Sequence, residues 1–240
     1  MAVVWQDNEN NEARKPTLQE VSQAVLKSKN NRAPGKDSIM AELIKTGVCQ
    51  SVDVRNSVEG LERLRGCAVV EGFVQIVLID GADEESWEGV SFPELREVTD
   101  YLLLYRVDGL RSLAALFPNL AVIRGNNLFL NYALVAFEMM HLHELGLHSL
   151  TDILRGGVRL EKNPLLCYAD SIDWNRIAPA GKDAHYIGAN RPKNECPMLC
   201  PRAPQCPRSA AGEPLCWNSN HCQKSEYQQR QQAASVTRRG

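Results

Sequence analysis

Thr99-Asp100-Tyr101-Leu102-Leu103-Leu104-Tyr105-Arg106-Val107 is the stretch whose reading decides the fold of this chain. Successive side chains of a β-strand point to opposite faces. Here both sets are apolar: Leu102 and Leu104 on one side, Leu103 and Tyr105 on the other. One set fills an interior, and the other forms an outward apolar surface. An exposed apolar patch on a single domain marks a binding surface. The alternative is that another domain of the same chain covers it.

Working outward, similar β-rich runs occupy Gly72–Ile79, Gly125–Leu130 and Gly156–Glu161. With the central run they start at 72, 100, 125 and 156, spacings of 28, 25 and 31 residues. Leucine-bearing segments such as Leu110–Leu113 and Leu142–Leu147 lie between them. One strand and one leucine-rich return per repeat predict a β-solenoid, because a single rung cannot bury its own apolar face whereas stacked rungs share one core. An open sheet of unrelated strands is the alternative. Gln75, Val77, Leu103, Tyr105 and Phe129 fall at alternating positions of these runs.

Composition divides the chain. Residues 1–47 carry a net charge of +1, residues 48–223 carry −6 and residues 224–240 carry +3. An acidic central region lacks the clustered Lys and Arg that phosphate backbones require, so no nucleic-acid partner is expected. The start, MAVVWQDNENN, has no basic region or apolar stretch of the signal-peptide type, and no run of 18 apolar residues is present to span a membrane. Thr17-Leu18-Gln19-Glu20 has the spacing of a helix capping box. Leu18, Val21 and Val25 follow on one helix face, Ala33-Pro34-Gly35 ends that helix, and a second short one runs from Asp37 to Gly47. After Lys224 the sequence has no apolar periodicity and predicts disorder.

No phosphate-binding loop, nucleophile elbow or HExxH motif is present, so no catalytic residues are expected. His141 and His143 flank Leu142 and share a side in an extended segment, but two ligands without a third make a poor metal site; both are expected at exposed corners. Glu84 and Glu85 read as an acidic loop. The eight cysteines, five of them within the last 45 residues, suit disulfides in an oxidising compartment. A zinc site using His221 is the alternative, which the wide gaps between cysteines disfavour.

Asp53–Asn56 (DVRN), Thr99–Val107 (TDYLLLYRV), Leu116–Gly125 (LFPNLAVIRG), Asn131–Met139 (NYALVAFEM), Arg155–Asn163 (RGGVRLEKN) and Ile172-Asp173-Trp174 together resemble the first L domain of insulin and insulin-like growth-factor receptors, in order across 48–223. The resemblance implies a mainly β, right-handed, leucine-rich-repeat-like solenoid with short helices. It implies an L domain at 48–195 and a truncated furin-like cysteine-rich module at 196–223, between the helical or disordered appendage at 1–47 and the disordered tail at 224–240 read from composition. It also implies the pairs Cys49–Cys67, Cys167–Cys196, Cys200–Cys216 and Cys206–Cys222, with Trp217 packed into the L-domain core. Residues 16–47 separately resemble the start of non-LTR retrotransposon reverse transcriptases, without that family's metal-binding aspartates.

In that receptor family the flat sheet face binds a helical segment of the receptor's own chain, and the hormone docks on both. The matching positions begin with Asp53, Arg55, Asn56, Gln75, Val77 and Leu78 on the first rungs. Leu103, Tyr105, Phe129, Leu130, Asn131, Tyr132 and Phe137 follow, and Arg159, Glu161 and Lys162 complete them. Asp80 and Asp108 stand where vertebrate members carry aromatic residues. The expected function is a non-catalytic, extracellular insulin-like-peptide-binding module needing no cofactor or metal. Alternatives are a fragment of a transmembrane receptor tyrosine kinase, a secreted decoy receptor, or a non-functional retroelement chimera.

Overall fold

The computed structural model describes residues 47–196, 200, 201 and 206–225, together with Glu20 and Gln23, both helical. The rest of the expected appendage at 1–47, including the Asp37 helix, and the tail beyond Ser225 lie outside the described residues. The fold is mainly β. Its strands are β1 (Val48–Arg55), β2 (Val69–Ile79), β3 (Glu97–Val98), β4 (Leu102–Val107), β5 (Val122–Ile123), β6 (Tyr132–Phe137), β7 (Asp152–Ile153), β8 (Gly157–Glu161) and β9 (Tyr186–Gly188). One α-helical turn, α1 (Trp174–Ile177), and several 3-10 turns complete it.

All these strands pair in parallel, and the sheet is open. β2 belongs to two ladders. Its first residues pair with β3, which continues to β5 and β7. Its later residues pair with β4, which continues through β6 and β8 to β9. The rungs β3–β4, β5–β6 and β7–β8 therefore each carry a short strand, a corner and a longer strand. In the long ladder Val74 sits beside Leu102, Leu102 beside Leu134 and Leu134 beside Val158, so rungs lie 28, 32 and 24 residues apart. That corrects the expected spacing of 28, 25 and 31.

The change traces to one run. Gly125–Leu130 is a turn, not a strand. Leu130 and Asn131 both adopt left-handed backbone (φ 48° and 71°), and Phe129 and Tyr132 exchange two N–H···O bonds of 2.9 Å. Two left-handed residues between bonded neighbours make the tight mirror-image turn that joins antiparallel segments. The strand follows it as β6. Gly125 lies where successive rungs nearly touch: a Cβ there would come within 2.2 Å of the Arg155 carbonyl oxygen.

Inward columns build the core. Val52, Val74, Leu102, Leu134 and Val158 form one, and Val54, Ile76, Leu104, Ala136, Leu160 and Ile187 the next. The leucine-bearing returns supply the opposite wall: Leu61, Leu64, Leu95, Leu113, Leu120, Leu142, Leu145 and Leu150 are buried in the same core. Full burial of each such side chain stabilises by about 1.5–3 kcal/mol.

The long strands end in a shared way. Asn56, Leu78, Arg106, Glu138, Lys162 and Ala189, each just beyond an outward-facing residue of the long ladder or within it, all have φ between 47° and 66°. A left-handed residue breaks the alternation, so Ile79, Val107 and Met139 return inward to the core. The column is tied by charge, with Glu138 2.7 Å from Arg106 and 3.9 Å from Lys162. Below it, Asn163 is fully buried, accepting from the Met139 N–H at 3.0 Å and donating to the Ala136 carbonyl at 3.0 Å and to Asn190 Oδ1 at 2.9 Å.

The cysteines pair as Cys49–Cys67, Cys167–Cys196, Cys200–Cys216 and Cys206–Cys222. Trp217 is buried in the main core, edge-on to Trp174 with ring centroids 5.7 Å apart. The cysteine-rich end thus packs on the last rungs through an aromatic plug as well as cross-links.

Candidate binding face

Strand alternation places the other side chains of the long ladder on the outer face, in two columns. The first runs Asp53, Gln75, Leu103, Val135, Arg159 and Tyr186; the second runs Arg55, Val77, Tyr105, Phe137 and Glu161. The face is graded: polar and paired at one edge, apolar in the middle, charged again at the far edge.

At the first edge Asp53 accepts from Arg55 Nε at 3.0 and 3.1 Å and from Gln75 Nε2 at 3.1 Å. In the centre Val77, Leu103, Tyr105, Phe129, Tyr132, Val135 and Phe137 form an apolar cluster separate from the main core, flanked by Leu78, Tyr101, Leu130 and Tyr186. Tyr105 and Phe137 stack with centroids 5.5 Å apart, and Tyr101 lies 5.7 Å from Phe129. At the far edge Arg159 donates to Glu161 Oε2 from Nη2 at 2.6 Å and Nε at 2.9 Å. Its guanidinium also lies over the rings of Tyr186, Tyr132 and Phe137, at 5.3, 5.4 and 5.9 Å, a geometry in which a cation is drawn to the aromatic face. Burial raises the Tyr132 phenol above its ordinary value, and burial with Asp53 and Asp100 nearby raises that of Tyr101 as well. Both stay neutral.

The structure brings together most of the positions expected from sequence. Asp53, Arg55, Gln75, Val77, Leu103, Tyr105, Phe137, Arg159 and Glu161 point outward in register. Phe129 and Tyr132 bracket the tight turn, with Leu130 and Asn131 at its tip. Asn56 and Lys162 sit at the left-handed strand ends rather than on the face, and Leu78, also left-handed, flanks the apolar cluster. Val135, Tyr101 and Tyr186 belong to the face and were not anticipated. Val135 is legible only through its register partners Leu103 and Arg159.

The sequence left the outer face either exposed or covered; Val77, Leu103, Val135 and Phe137 are 0% exposed and Tyr105 2%. Asp80 is exposed beyond β2, whereas Asp108 accepts the Gly81 N–H at 2.9 Å and lies 3.6 Å from His141 Nδ1. Glu84 pairs with Arg111 at 2.7 Å. His141 is at an exposed corner and His143 is half-buried, and among the described residues no three His, Cys, Asp or Glu side chains group to hold a metal.

Comparison with known proteins gives this face a context. Residues 66–178 match the receptor L domain family. The chain is 52% identical over 177 residues to an insulin-like peptide receptor of Branchiostoma lanceolatum, covering 74% of this chain and 13% of that protein. It is 50% identical over 189 residues to the insulin receptor-related protein of Mus musculus (74% and 14%), and 49% identical over 181 residues to the insulin-like growth factor 1 receptor of Xenopus laevis (72% and 13%). This is a receptor L domain of the insulin-receptor family. The L domain is a non-catalytic ectodomain module, and the kinase of such receptors lies outside the aligned region. The chain spans about one seventh of the length of these relatives. Among the described residues no helix is long and apolar enough to cross a membrane.

Proposed function

We propose that this receptor L domain binds an insulin-like peptide through the outer face of its long ladder. The observation that carries the reading is the face itself: a contiguous aromatic and aliphatic cluster, Val77–Leu103–Tyr105–Val135–Phe137, framed by the Asp53–Arg55 and Arg159–Glu161 pairs. A buried apolar centre with a polar frame is the anatomy of a protein-recognition surface. Two relatives are named as receptors of an insulin-like peptide and an insulin-like growth factor, which indicates the ligand class. In this reading Asp53, Arg55, Gln75, Tyr105, Phe137, Arg159 and Glu161 contact the ligand or a receptor-derived helical segment, with Asn56, Leu78, Phe129, Leu130, Asn131, Tyr132 and Lys162 at the margins.

The same reading takes 48–195 as the L domain and 196–223 as the start of a furin-like cysteine-rich module. The rungs wind right-handed, as parallel crossovers do, and the setting is the extracellular side of a plasma membrane. Titration of an insulin-like peptide, alone and with the receptor-derived helix, tests the function. Saturable binding lost in Tyr105→Ala and Phe137→Ala is expected; no binding in either arm overturns it.

A further inference from the structure

We infer that the seam between the L domain and its cysteine-rich end is a latch that acid opens, with the stacked imidazoles of His148 and His221 as its catch. His148 follows the leucine-bearing return Leu142–Leu147. His221 closes a turn in which the Trp217 N–H donates to the His221 carbonyl at 2.8 Å. The two rings stack across the seam, with centroids 4.4 Å apart and planes 17° from parallel. His148 Nδ1 lies 3.1 Å from the Gly146 carbonyl oxygen, and His221 Nδ1 lies 3.0 Å from Asn218 Oδ1. That amide oxygen also accepts the Asn220 and His221 N–H groups, both at 2.9 Å, while Asn218 Nδ2 donates to Glu144 Oε1 at 3.0 Å. A carbonyl oxygen can only accept, so Nδ1 carries the proton on both rings and Nε2 is left as the basic atom.

Charge decides when the seam stays shut. Glu144 from the return and Lys224 from the cysteine-rich end both act on His148, and Tyr168, bonded to Ser219 and close to Glu144, completes the cluster. Burial keeps the Tyr168 phenol neutral. Burial, with His221 and Lys224 nearby, pushes the His148 imidazole below its usual value of 6.5, against the pull of the Gly146 carbonyl and Glu144. Protonating both rings places like charges 4.4 Å apart beside Lys224, with Glu144 as the counter-charge. The closed seam therefore resists a proton that the open turn accepts, and acid shifts the balance to the open form. Opening is local. Trp217 stays in the main core, the pairs Cys200–Cys216 and Cys206–Cys222 hold the base of the turn, and Gln223 exchanges two hydrogen bonds with the Asp173 backbone. The catch releases while the anchor holds, so the cysteine-rich end shifts on the last rungs rather than unfolding.

Amide hydrogen exchange of Trp217 and His221 in the oxidised full chain, corrected for the intrinsic rate at each pH, reads the latch. Protection should fall as the pH drops below 6.5, by up to about tenfold per pH unit because one proton is linked to opening. The amides of Leu104 and Val135 in the long ladder should stay protected over the same range. His148→Gln should flatten the dependence. Two further variants leave both rings in place. Glu144→Gln keeps an acceptor for Ser112 and Asn218 but removes the counter-charge, so opening should move to higher pH. Lys224→Met removes a neighbouring cation, so opening should move to lower pH. A purely structural contact at the seam would respond to neither change of charge. Protection indifferent to pH, a dependence unchanged by His148→Gln, no shift in either charge variant, or simultaneous loss at Leu104 and Val135 overturns the inference.

Discussion

Arg159 donates two hydrogen bonds to a single carboxylate oxygen of Glu161, at 2.6 and 2.9 Å, with both side chains less than a tenth exposed. The two residues stand two positions apart on β8, one in each outward column, so the pair fixes both columns at the far edge of the face. A buried pair is worth little more than its own desolvation, but removing one partner strands the other charge. Glu161→Ala is therefore expected to cost about 3 kcal/mol or more, whereas Arg159→Met with Glu161→Leu comes close to neutral. Urea denaturation of the three proteins measures it, and an additive double variant would argue against the pairing.

Asn163 is the polar counterpart of this pair inside the rungs. Its carboxamide satisfies backbone groups of Ala136 and Met139 that the left-handed strand end of Glu138 leaves without ladder partners. Asn163→Ala leaves those groups buried and unmet, and a loss of about 1–3 kcal/mol is expected. Asn163→Asp retains the acceptor but not the donor and falls between the two in a thermal melt.

The two ladders show what the sequence could and could not disclose. β2, β4 and β8 were legible because each lies in a β-rich run of five or more residues. β3, β5 and β7 were not, since two-residue strands have no periodicity of their own. Gly125–Leu130 looked like a strand through its apolar end, but the left-handed pair Leu130–Asn131 turns the chain there. Most of the outer face followed from resemblance. Val135 escaped because β6 is apolar at every position, so only the register with Leu103 and Arg159 reveals its side. Its burial was out of reach, because exposure depends on what covers a face and not on the residues that form it.

Stability should fall as the solution is acidified mildly. Burial pushes the imidazoles of His148 and His185 below their usual value of 6.5. The folded state therefore holds them neutral while the unfolded chain takes up protons. Above pH 6.5 the contribution is constant; below it, protonation of the unfolded state removes stability until the folded-state values are reached. Urea midpoints should drop as the pH falls below 6.5. His148→Phe with His185→Asn should flatten that slope, Asn keeping an acceptor for the Val158 N–H that His185 Nδ1 receives at 3.1 Å. An unchanged slope in the double variant would assign it to other groups.

Asp80 and Asp108 separate recognition from architecture. Asp80 is exposed at the end of β2, so Asp80→Phe should fold normally and add apolar contact to a vertebrate-type insulin, strengthening binding by up to about 1.5 kcal/mol. Asp108 holds the Gly81 N–H across two rungs, so Asp108→Phe should instead lower the melting temperature. Parallel binding and melting curves for the two variants check the distinction.

The outer face is the centre of the functional account, and the most direct test is calorimetric titration of the oxidised chain with an insulin-like peptide in the presence of the receptor-derived helical segment. Saturable binding is predicted, lost in Tyr105→Ala and Phe137→Ala while the melting curve and the absence of free thiols are retained. No heat of binding to the correctly folded chain, or binding indifferent to Tyr105 and Phe137, would contradict it.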